Sequence, residues 1–346
     1  MNNVLIPKSI KNISKILDDG VILTDEEGLI ILANSNAQEF LGKNLLNNNI
    51  SKILKVKELE NFNKVFKNKS NKKEFYYQTN DQLKRSLIVK IKKINKTLFL
   101  ILLLDMTLQR NLEKVRRDFV ANVSHELRSP LTSLVGFIET LLSGNVNDEV
   151  TRSKFLKIMD EEAKRMNRLI DDILSLSRVE TEEHISPSTS ISILDPINSV
   201  IASIKERGLI KANKIVFEDL RSNINDQCFI IGNFDEVTQV FTNLLENAIK
   251  YGFEDTEIII KLEQFDEKEI IINVINYGEG IPQKYIDRLT ERFFRVDKAR
   301  SRKIGGTGLG LAIVKHILIR HRAKMSIKSE LNNQTIFSLN FPVSQR

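Results

Sequence analysis

His125 is the first residue whose position suggests chemistry. On a helix that advances about 100° per residue, the apolar residues from position 119 onward form one stripe: Phe119, Val123, Leu127, Leu131, Leu134, Phe137 and Leu141. His125 falls nearly opposite the middle of this stripe, with Ser129 and Thr132 near it. A core role for His125 is therefore disfavoured, which leaves a surface histidine without a role or a reactive one.

The neighbours of His125 favour the reactive alternative. A neutral imidazole nitrogen is a good nucleophile near pH 7. Glu126 follows directly, and an adjacent carboxylate can orient the ring and accept the proton released in a group transfer. Pro130 lacks an N–H and strains the helix about one turn further on, so the helix has a point at which it can bend.

Four later segments carry residue types that suit a phosphorylated ligand. Asn243 and Asn247 are spaced i, i+4 and share a helix face with Lys250, so their amides and ammonium group can contact phosphates or Mg²⁺. Alone, this segment also fits a solvated polar face. The second segment follows a predicted strand and contains Asn276, Gly278 and Gly280. The third combines aromatic and cationic side chains, with Phe294 and Arg295. The fourth is rich in glycine and leads into a predicted helix: Gly306, Thr307, Gly308, Leu309 and Gly310. Glycine allows close backbone approach, and a glycine-rich loop before a helix presents free N–H groups to phosphate.

The run FVANVSHELRSPLT at Phe119–Thr132 closely resembles the H-box of sensor histidine kinases. The four later segments resemble, in order, the N, G1, F and G2 boxes of the GHKL-type ATP-binding domain of that family. The resemblance implies that His125 is the phosphoacceptor and Glu126 its general base. Ser129 stands where the family commonly has a threonine that positions water for the phosphatase reaction, and serine keeps the hydroxyl.

The same resemblance implies roles at the nucleotide site. Asn247 would hold Mg²⁺, Asn243 and Lys250 would help with phosphates, Tyr251 would flank adenine, and the segment Arg292–Gly308 would be a mobile ATP lid. Asn276 stands where the family has an aspartate that accepts a hydrogen bond from the adenine amino group. A neutral acceptor should weaken ATP binding by about 1 kcal/mol, roughly tenfold or less. Tyr277 replaces a common asparagine.

The elements around these residues predict an α+β multidomain chain. Residues 12–105 form a small α/β module, with strands expected at Val21–Thr24, Leu29–Leu32, Glu74–Gln78, Ser86–Lys92 and Leu98–Leu104. Within it, the run DGVILTDEEGLIILANSNAQEFLG resembles the start of a PAS domain, which implies a PAS-like sensor; an unspecified α/β domain is the alternative. Residues 106–182 form two amphipathic helices, Met106–Leu142 and Asp148–Val179, joined by a turn at Gly144–Asn147. A lone hairpin cannot bury both apolar stripes, so two copies should pair into a four-helix bundle that carries the histidine.

A polar linker at Glu180–Ser192 precedes the third domain, residues 193–346, which we expect to be the GHKL-type α/β sandwich. The patterns predict helices at Pro196–Arg207, Phe234–Tyr251 and Leu309–His321. They predict strands at Lys214–Glu218, Glu257–Leu262, Glu269–Asn276, Ala323–Ser329 and Thr335–Phe341.

Composition limits the other functional classes. The net charge of +7 arises from scattered basic residues, and no DNA-binding motif accompanies them, so direct nucleic-acid binding is not expected. Cys228 is the one cysteine, which excludes an intramolecular disulfide and fits a reducing cytosol. The longest apolar run, near Thr97–Met106, is half the ~20 residues of a membrane span. These observations predict a cytoplasmic protein, associated with the inner membrane at most peripherally.

The sequence is most similar to phosphate-regulon (PhoR-like) sensor kinases in the runs around His125 and Phe294. This resemblance implies a homodimer that autophosphorylates with ATP and Mg²⁺ and passes the phosphoryl group to an aspartate of a PhoB-like response regulator during phosphate limitation. Contact with a membrane transporter complex would be the means of membrane attachment. The alternatives are a phosphatase-dominant member, a degenerate kinase acting as a dimeric scaffold, and a GHKL-fold binding module or anti-sigma-like serine kinase. The H-box argues against the last of these.

Overall fold

The computed structural model of the chain describes residues 12, 16–56, 59, 72–81, 83–95, 97–144, 146, 148–208, 215–221, 228–264, 268–297 and 306–344. The chain divides into two compact units, Met1–Val120 and Ala121–Arg346. Among the described residues, no helix combines the length and the apolar character that a membrane span needs.

The first unit is built on a five-stranded antiparallel sheet of order β2-β1-β5-β4-β3. Its elements in chain order are β1 (Gly20–Thr24), β2 (Ile30–Ala33), α1 (Ser35–Leu41), α2 (Ile50–Leu54), β3 (Lys72–Gln78), β4 (Ser86–Lys93) and β5 (Phe99–Asp105). Buried and half-buried residues alternate along β5 because successive side chains point to opposite faces of the sheet. The buried face, which includes Val89 and Ile101, forms one core with Phe40 of α1 and Ile50 of α2.

A helical hairpin follows, made of α3 (Thr107–Leu142) and α4 (Glu149–Glu182). Asp148 begins α4, since its carboxylate accepts from the backbone N–H groups of Val150 and Thr151. Pro130 lies inside α3 and is the buried residue of that helix. Many large apolar side chains of the hairpin are exposed in the single chain, among them Leu131, Leu142, Leu156 and Leu174.

The rest of the second unit is a two-layer sandwich. Its elements are β6 (Ser190–Ser192), α5 (Leu194–Glu206), β7 (Ile215–Asp219), β8 (Phe229–Ile231), α6 (Phe234–Tyr251), β9 (Ile258–Glu263), β10 (Glu269–Tyr277), α7 (Gln283–Ile286), α8 (Gly310–Arg320), β11 (Lys324–Ser329) and β12 (Gln334–Pro342). The main sheet has the order β11-β12-β10-β9-β7, with β7 parallel to β9 and the other pairs antiparallel. One face of α6, including Phe241, Leu244 and Leu245, is fully buried against it.

The predicted helices and strands agree with the structure to within about two or three residues at their ends. The expectation of a linker at Glu180–Ser192 is partly wrong, because α4 extends to Glu182 and β6 pairs with β8. These strands are three residues long, too short for an alternating pattern to reveal them. Lys214, and Asn145 and Asn147 of the predicted turn, lie outside the described residues.

Candidate nucleotide site and phosphoacceptor

A cavity of about 420 Å³ lies in the second unit, between α6, the end of β10 and the loop before α8. Most of the residues predicted to contact a nucleotide line it: Asn243, Asn247, Lys250, Tyr251, Asn276, Gly280, Phe294, Arg295, Gly306, Thr307, Gly308 and Gly310. Gly278 and Leu309 are not among the lining residues. Segments separated by more than 60 positions in sequence therefore meet at one site.

Helix α6 supplies the polar wall of the cavity. Asn243 donates from Nδ2 to the carbonyl of Gln239 at 3.1 Å, and its Oδ1 lies close to Gly310. A Cβ at position 310 would stand 2.7 Å from that oxygen, so glycine lets α8 begin close to α6. Lys250 pairs with Glu246 through an Nζ–Oε2 distance of 2.9 Å. The ammonium group is thus held at the cavity by an acidic neighbour that the sequence reasoning did not consider.

The end of β10 supplies a buried amide. Asn276 is 6% exposed and lies opposite Thr335 of β12, and both residues line the cavity. Gly278 has a packing role that the sequence does not reveal, because a Cβ there would stand 2.4 Å from the carbonyl oxygen of Tyr251. Gly280 has φ +74°, and a Cβ there would meet the carbonyl oxygen of Glu330 at 2.3 Å. Only glycine fits this turn without strain.

The loop before α8 is held by its threonine. The hydroxyl of Thr307 accepts from the N–H of Leu309 at 3.3 Å and donates to Oδ2 of Asp172 at 2.6 Å. Gly308 has φ +76° and its carbonyl accepts from the N–H of Phe293, which joins the loop to the segment containing Phe294. Leu309 is fully buried and anchors the start of α8 in the core.

The aromatic and cationic segment at 291–297 forms another wall. The ring centroids of Phe294 and Tyr285 are 5.9 Å apart. The guanidinium of Arg288 lies over the Phe294 ring, 4.4 Å from the ring centroid. The side chain of Arg295 is 6% exposed and donates from NH2 to Oε2 of Glu126 at 3.3 Å. Residues 298–305, the middle of the predicted lid, lie outside the described residues.

The three predicted catalytic residues lie on α3 and do not line the cavity. His125 and Ser129 are exposed, as the helical phase predicted for His125. Glu126 is half-buried, with its Oε2 atom within 3.4 Å of Arg165 on α4 and 3.3 Å of Arg295. The residue beside His125 is therefore connected by one ion pair to the wall of the cavity.

The other histidines have different surroundings. Burial lowers the pKa of His321, whose Nδ1 contacts the carbonyl of Ile317 while Nε2 accepts from the N–H of Asn233. Its ring is thus fixed as a neutral core group. His316 lies 2.6 Å from Glu183 through Nδ1 and 3.4 Å from Glu180 through Nε2. His184 is exposed just past the end of α4, and none of its neighbours in sequence lines the cavity.

The end of α4 is joined to the sandwich by ion pairs. Arg292 contacts Glu180 at 2.6 Å, Arg320 contacts Glu182 at 3.0 Å, and His316 adds its contact with Glu183. A hydrogen bond between Ser175 and Gln239 at 3.0 Å lies one turn closer to the cavity. These contacts hold α4 beside the cavity.

Among the cavity residues that sequence reasoning missed, three come from α4: Arg168, Asp171 and Asp172. Burial raises the pKa of Asp172; the Thr307 hydrogen bond and the charge of Lys250 oppose this shift. Glu246 and Asp171 raise the pKa further by repulsion. No local pattern marks these residues, because they lie on the polar face of an amphipathic helix and reach the site only through tertiary packing.

The site suits a flat ligand that carries phosphates. It combines a buried amide at the end of the sheet, amides and a lysine on α6, and a glycine loop at the N-terminus of α8, which has no side-chain cap. Within the described residues, no cluster of three or more His, Cys, Asp or Glu side chains is placed to hold a metal ion. The donor set nevertheless fits Mg²⁺ bound with a nucleotide, since Mg²⁺ commonly takes one or two protein oxygens together with substrate phosphates. Asn247 offers such an oxygen.

Comparison with known families gives two matches. Residues 232–345 match the family described as histidine kinase-, DNA gyrase B-, and HSP90-like ATPase. Residues 115–182 match the His Kinase A (phospho-acceptor) domain. The two matched regions contain the predicted nucleotide segments and His125, respectively.

Curated relatives are similar over most of the chain. The sensor protein kinase WalK of Staphylococcus aureus is 35% identical over 334 residues, which cover 94% of this chain and 79% of the relative. WalK of Staphylococcus saprophyticus is 34% identical over 335 residues, 94% of this chain and 53% of the relative. The chain thus spans about half the length of several of the curated relatives that it matches.

Two solved structures share the fold. Histidine kinase ThkA, in its complex with the response regulator protein TrrA, has a TM-score of 0.51 at 22% identity and covers 98% of this chain and 99% of its own. Acinetobacter baumannii histidine kinase AdeS has a TM-score of 0.50 at 23% identity, covering 64% of this chain and 98% of its own.

Proposed function

Because this chain belongs to the sensor histidine kinases of two-component systems, a family of protein-histidine kinases, we propose that it transfers the γ-phosphoryl group of ATP to its own His125. The phosphoryl group then passes to an aspartate of a response regulator. The observation that carries the proposal is the ion pair between Glu126, the neighbour of His125, and Arg295 of the cavity wall. It links the phosphoacceptor helix to the nucleotide cavity.

The reaction follows from the groups at hand. A nitrogen of the exposed His125 attacks the γ-phosphorus, the bond from phosphorus to the bridging oxygen breaks, and ADP leaves. Glu126 accepts the imidazole proton as general base. Phosphoryl transfer depends mainly on positioning and charge neutralisation, which Lys250 and Arg295 supply from the cavity wall.

Nucleotide binding uses the predicted boxes. Asn247 would hold Mg²⁺, which would supply neutralisation of phosphate charge, while Asn243 and the loop Gly306–Gly310 contact the phosphates. Tyr251 and Asn276 flank adenine. Twelve of the residues predicted to contact a nucleotide lie around one cavity, which supports these proposed roles. Lys250 reaches phosphate by exchanging its partner Glu246 for the ligand, a move that its flexible side chain permits.

We also propose the domain organisation. Residues 12–105 form a PAS-like sensor, supported by the five-stranded antiparallel sheet with α1 and α2 on one face. Residues 106–182 form the dimerisation and phosphotransfer domain, and residues 193–346 the catalytic domain. Homodimerisation is supported by the exposed apolar side chains of the hairpin, such as Leu131 and Leu174, which a four-helix bundle would bury.

The response regulator docks near Leu131–Leu142, below His125 on the same helix. The complex of ThkA with TrrA is an instance of such a partnership in a protein of the same fold. A PhoB-like regulator, phosphate-limitation signalling and a transporter contact are finer expectations that the relatives named WalK do not support. Ser129, exposed one turn after His125, is suited to position water for dephosphorylation of the regulator.

The test is autophosphorylation of the full chain with radiolabelled ATP and Mg²⁺. The wild type should acquire an acid-labile, base-stable label. His125→Gln and Asn247→Ala should abolish it, and Glu126→Gln should reduce its rate by about 10²-fold or more. His184→Gln is the matched control, because this histidine is also exposed, lies just past the end of α4, and its variant should label normally. Label that survives His125→Gln would refute the assignment.

A further inference from the structure

The hairpin contributes a carboxylate to the nucleotide cavity. Asp172 lies on α4, yet its Oδ2 atom accepts a hydrogen bond of 2.6 Å from the hydroxyl of Thr307 in the glycine loop. Asp171 and Arg168 of the same helix also line the cavity. A residue of the phosphoacceptor domain is therefore in direct contact with the loop that we assign to phosphate binding.

Thr307 has no free hydrogen-bond donor in this arrangement. Its hydroxyl donates to Asp172 and accepts from the N–H of Leu309. The loop leads into the first turn of α8, where the positive end of the helix dipole and the backbone N–H groups attract an anion. A carboxylate oxygen at this point takes the place that a phosphate oxygen of a nucleotide would take.

The surrounding charges do not favour two anions at the loop. Asp171 and Glu246 add negative charge around Asp172, and Lys250, which attracts Asp172, already pairs with Glu246 at 2.9 Å. Burial raises the pKa of the Asp172 carboxyl, and the charges of Glu246 and Asp171 raise it further. An ionised Asp172 and a nucleotide phosphate at the same loop would repel each other strongly, since the cavity screens charge less than water does.

We infer that Asp172 competes with the nucleotide's phosphate groups for Thr307 and the glycine loop, so that the hairpin and the nucleotide occupy the loop in turn. The inference rests on the proposed function. It makes Asp172 a positioning residue that holds α4 against the glycine loop and is displaced when a phosphorylated ligand binds. Binding then frees the catalytic domain to move along the hairpin toward His125.

Calorimetric titration of the full chain tests the inference, with Mg²⁺ and three ligands: adenosine, ADP and a non-hydrolysable ATP analogue. Asp172→Asn keeps the shape and an acceptor oxygen but removes the charge. It should tighten binding of the ATP analogue by roughly tenfold, tighten ADP by less, and leave adenosine unchanged. Asp160→Asn is the matched control, because Asp160 is an exposed aspartate on the same helix that pairs with Lys164 and does not line the cavity. We expect it to change each affinity by less than about twofold.

Three results would overturn the inference: no change in Asp172→Asn, an equal change for adenosine and the ATP analogue, or the same change in Asp160→Asn. Asp172→Ser, which shortens the side chain as well, should give the same phosphate-dependent gain if the asparagine variant does not fold. Wild-type protein that binds neither ADP nor the analogue would instead contradict the proposed function, so the two failures are distinguishable.

Discussion

Replacing Asn276 with aspartate should strengthen adenine binding. Asn276 is 6% exposed at the cavity, so its hydrogen bond to an adenine amino group would be shielded from water. Hydrogen bonds to charged acceptors contribute about 1.5–3 kcal/mol, against about 1 kcal/mol for neutral ones. The gain of about 1 kcal/mol corresponds to an affinity roughly fivefold higher.

The substitution has an opposing effect on the free protein. A carboxylate at a position this buried loses hydration, and Thr335, its opposite neighbour, is 4% exposed. We expect Asn276→Asp to lower the free energy of unfolding of the ligand-free chain by at least about 1 kcal/mol. Bound ADP should recover part of this loss, since a ligand that binds only the folded state stabilises it.

The assay is calorimetric titration at about pH 8, where the carboxyl stays ionised, with ADP and with IDP. The base of IDP carries a carbonyl oxygen in place of the amino group. The dissociation constant of Asn276→Asp should fall about fivefold for ADP and rise for IDP. Equal shifts for the two nucleotides, or no shift for either, would refute the placement of Asn276 at the adenine amino group.

Three further predictions concern glycine, a helix cap and pH. Gly280→Ala should lower the free energy of unfolding by more than about 1 kcal/mol. Gly136→Ala, at an open position inside a helix, should raise it by about 0.5–1 kcal/mol. Denaturant titrations in which Gly280→Ala is the more stable variant would contradict the close packing at Gly280. Asp148→Ala should lower the Tm of the hairpin at neutral pH, while Asp148→Asn keeps the cap. Hydrogen bonds from Thr151 and Val150 lower the pKa of Asp148. The stabilisation of the helix by this cap is therefore present above about pH 4 and should be lost as pH falls below it. A difference in Tm between wild type and Asp148→Ala that does not change with pH would refute this. Burial raises the pKa of Asp172, so the favourable contribution of its carboxyl to stability is present below about pH 4 and is lost as pH rises above it. Denaturation midpoints of the wild type should therefore fall relative to those of Asp172→Asn as pH rises from about 4. If the denaturation midpoints of wild type and Asp172→Asn change with pH in parallel, Lys250 offsets the repulsion that Asp171 and Glu246 exert on Asp172.

Helical phase and residue types predicted much of the site from sequence. The apolar stripe of α3 placed His125 on the opposite face, and the side chain is exposed. The prediction for α6 matches its observed range of Phe234–Tyr251, because an amphipathic run of this length between polar segments has one stable conformation. Its spacing of Asn243 and Asn247 correctly put both amides on the cavity side.

What sequence could not predict depends on packing between distant segments. Asp172 lies on the polar face of α4, and nothing local distinguishes it from a solvated carboxylate until Thr307 is found beside it. The missing Cβ of Gly278, a predicted ligand contact, also makes room for the backbone of Tyr251. Lys250 fits a phosphate contact by spacing, and its pairing with Glu246 emerges only from the side-chain geometry.

The most direct test of the central claim is to locate the phosphoryl group. The full chain would be incubated with ATP and Mg²⁺, digested under mildly alkaline conditions that preserve phosphohistidine, and sequenced by tandem mass spectrometry. The account predicts one phosphoryl group on the peptide containing His125, and none on those containing His184, His316 or His321. Phosphorylation of another histidine while His125 stays unmodified would contradict it.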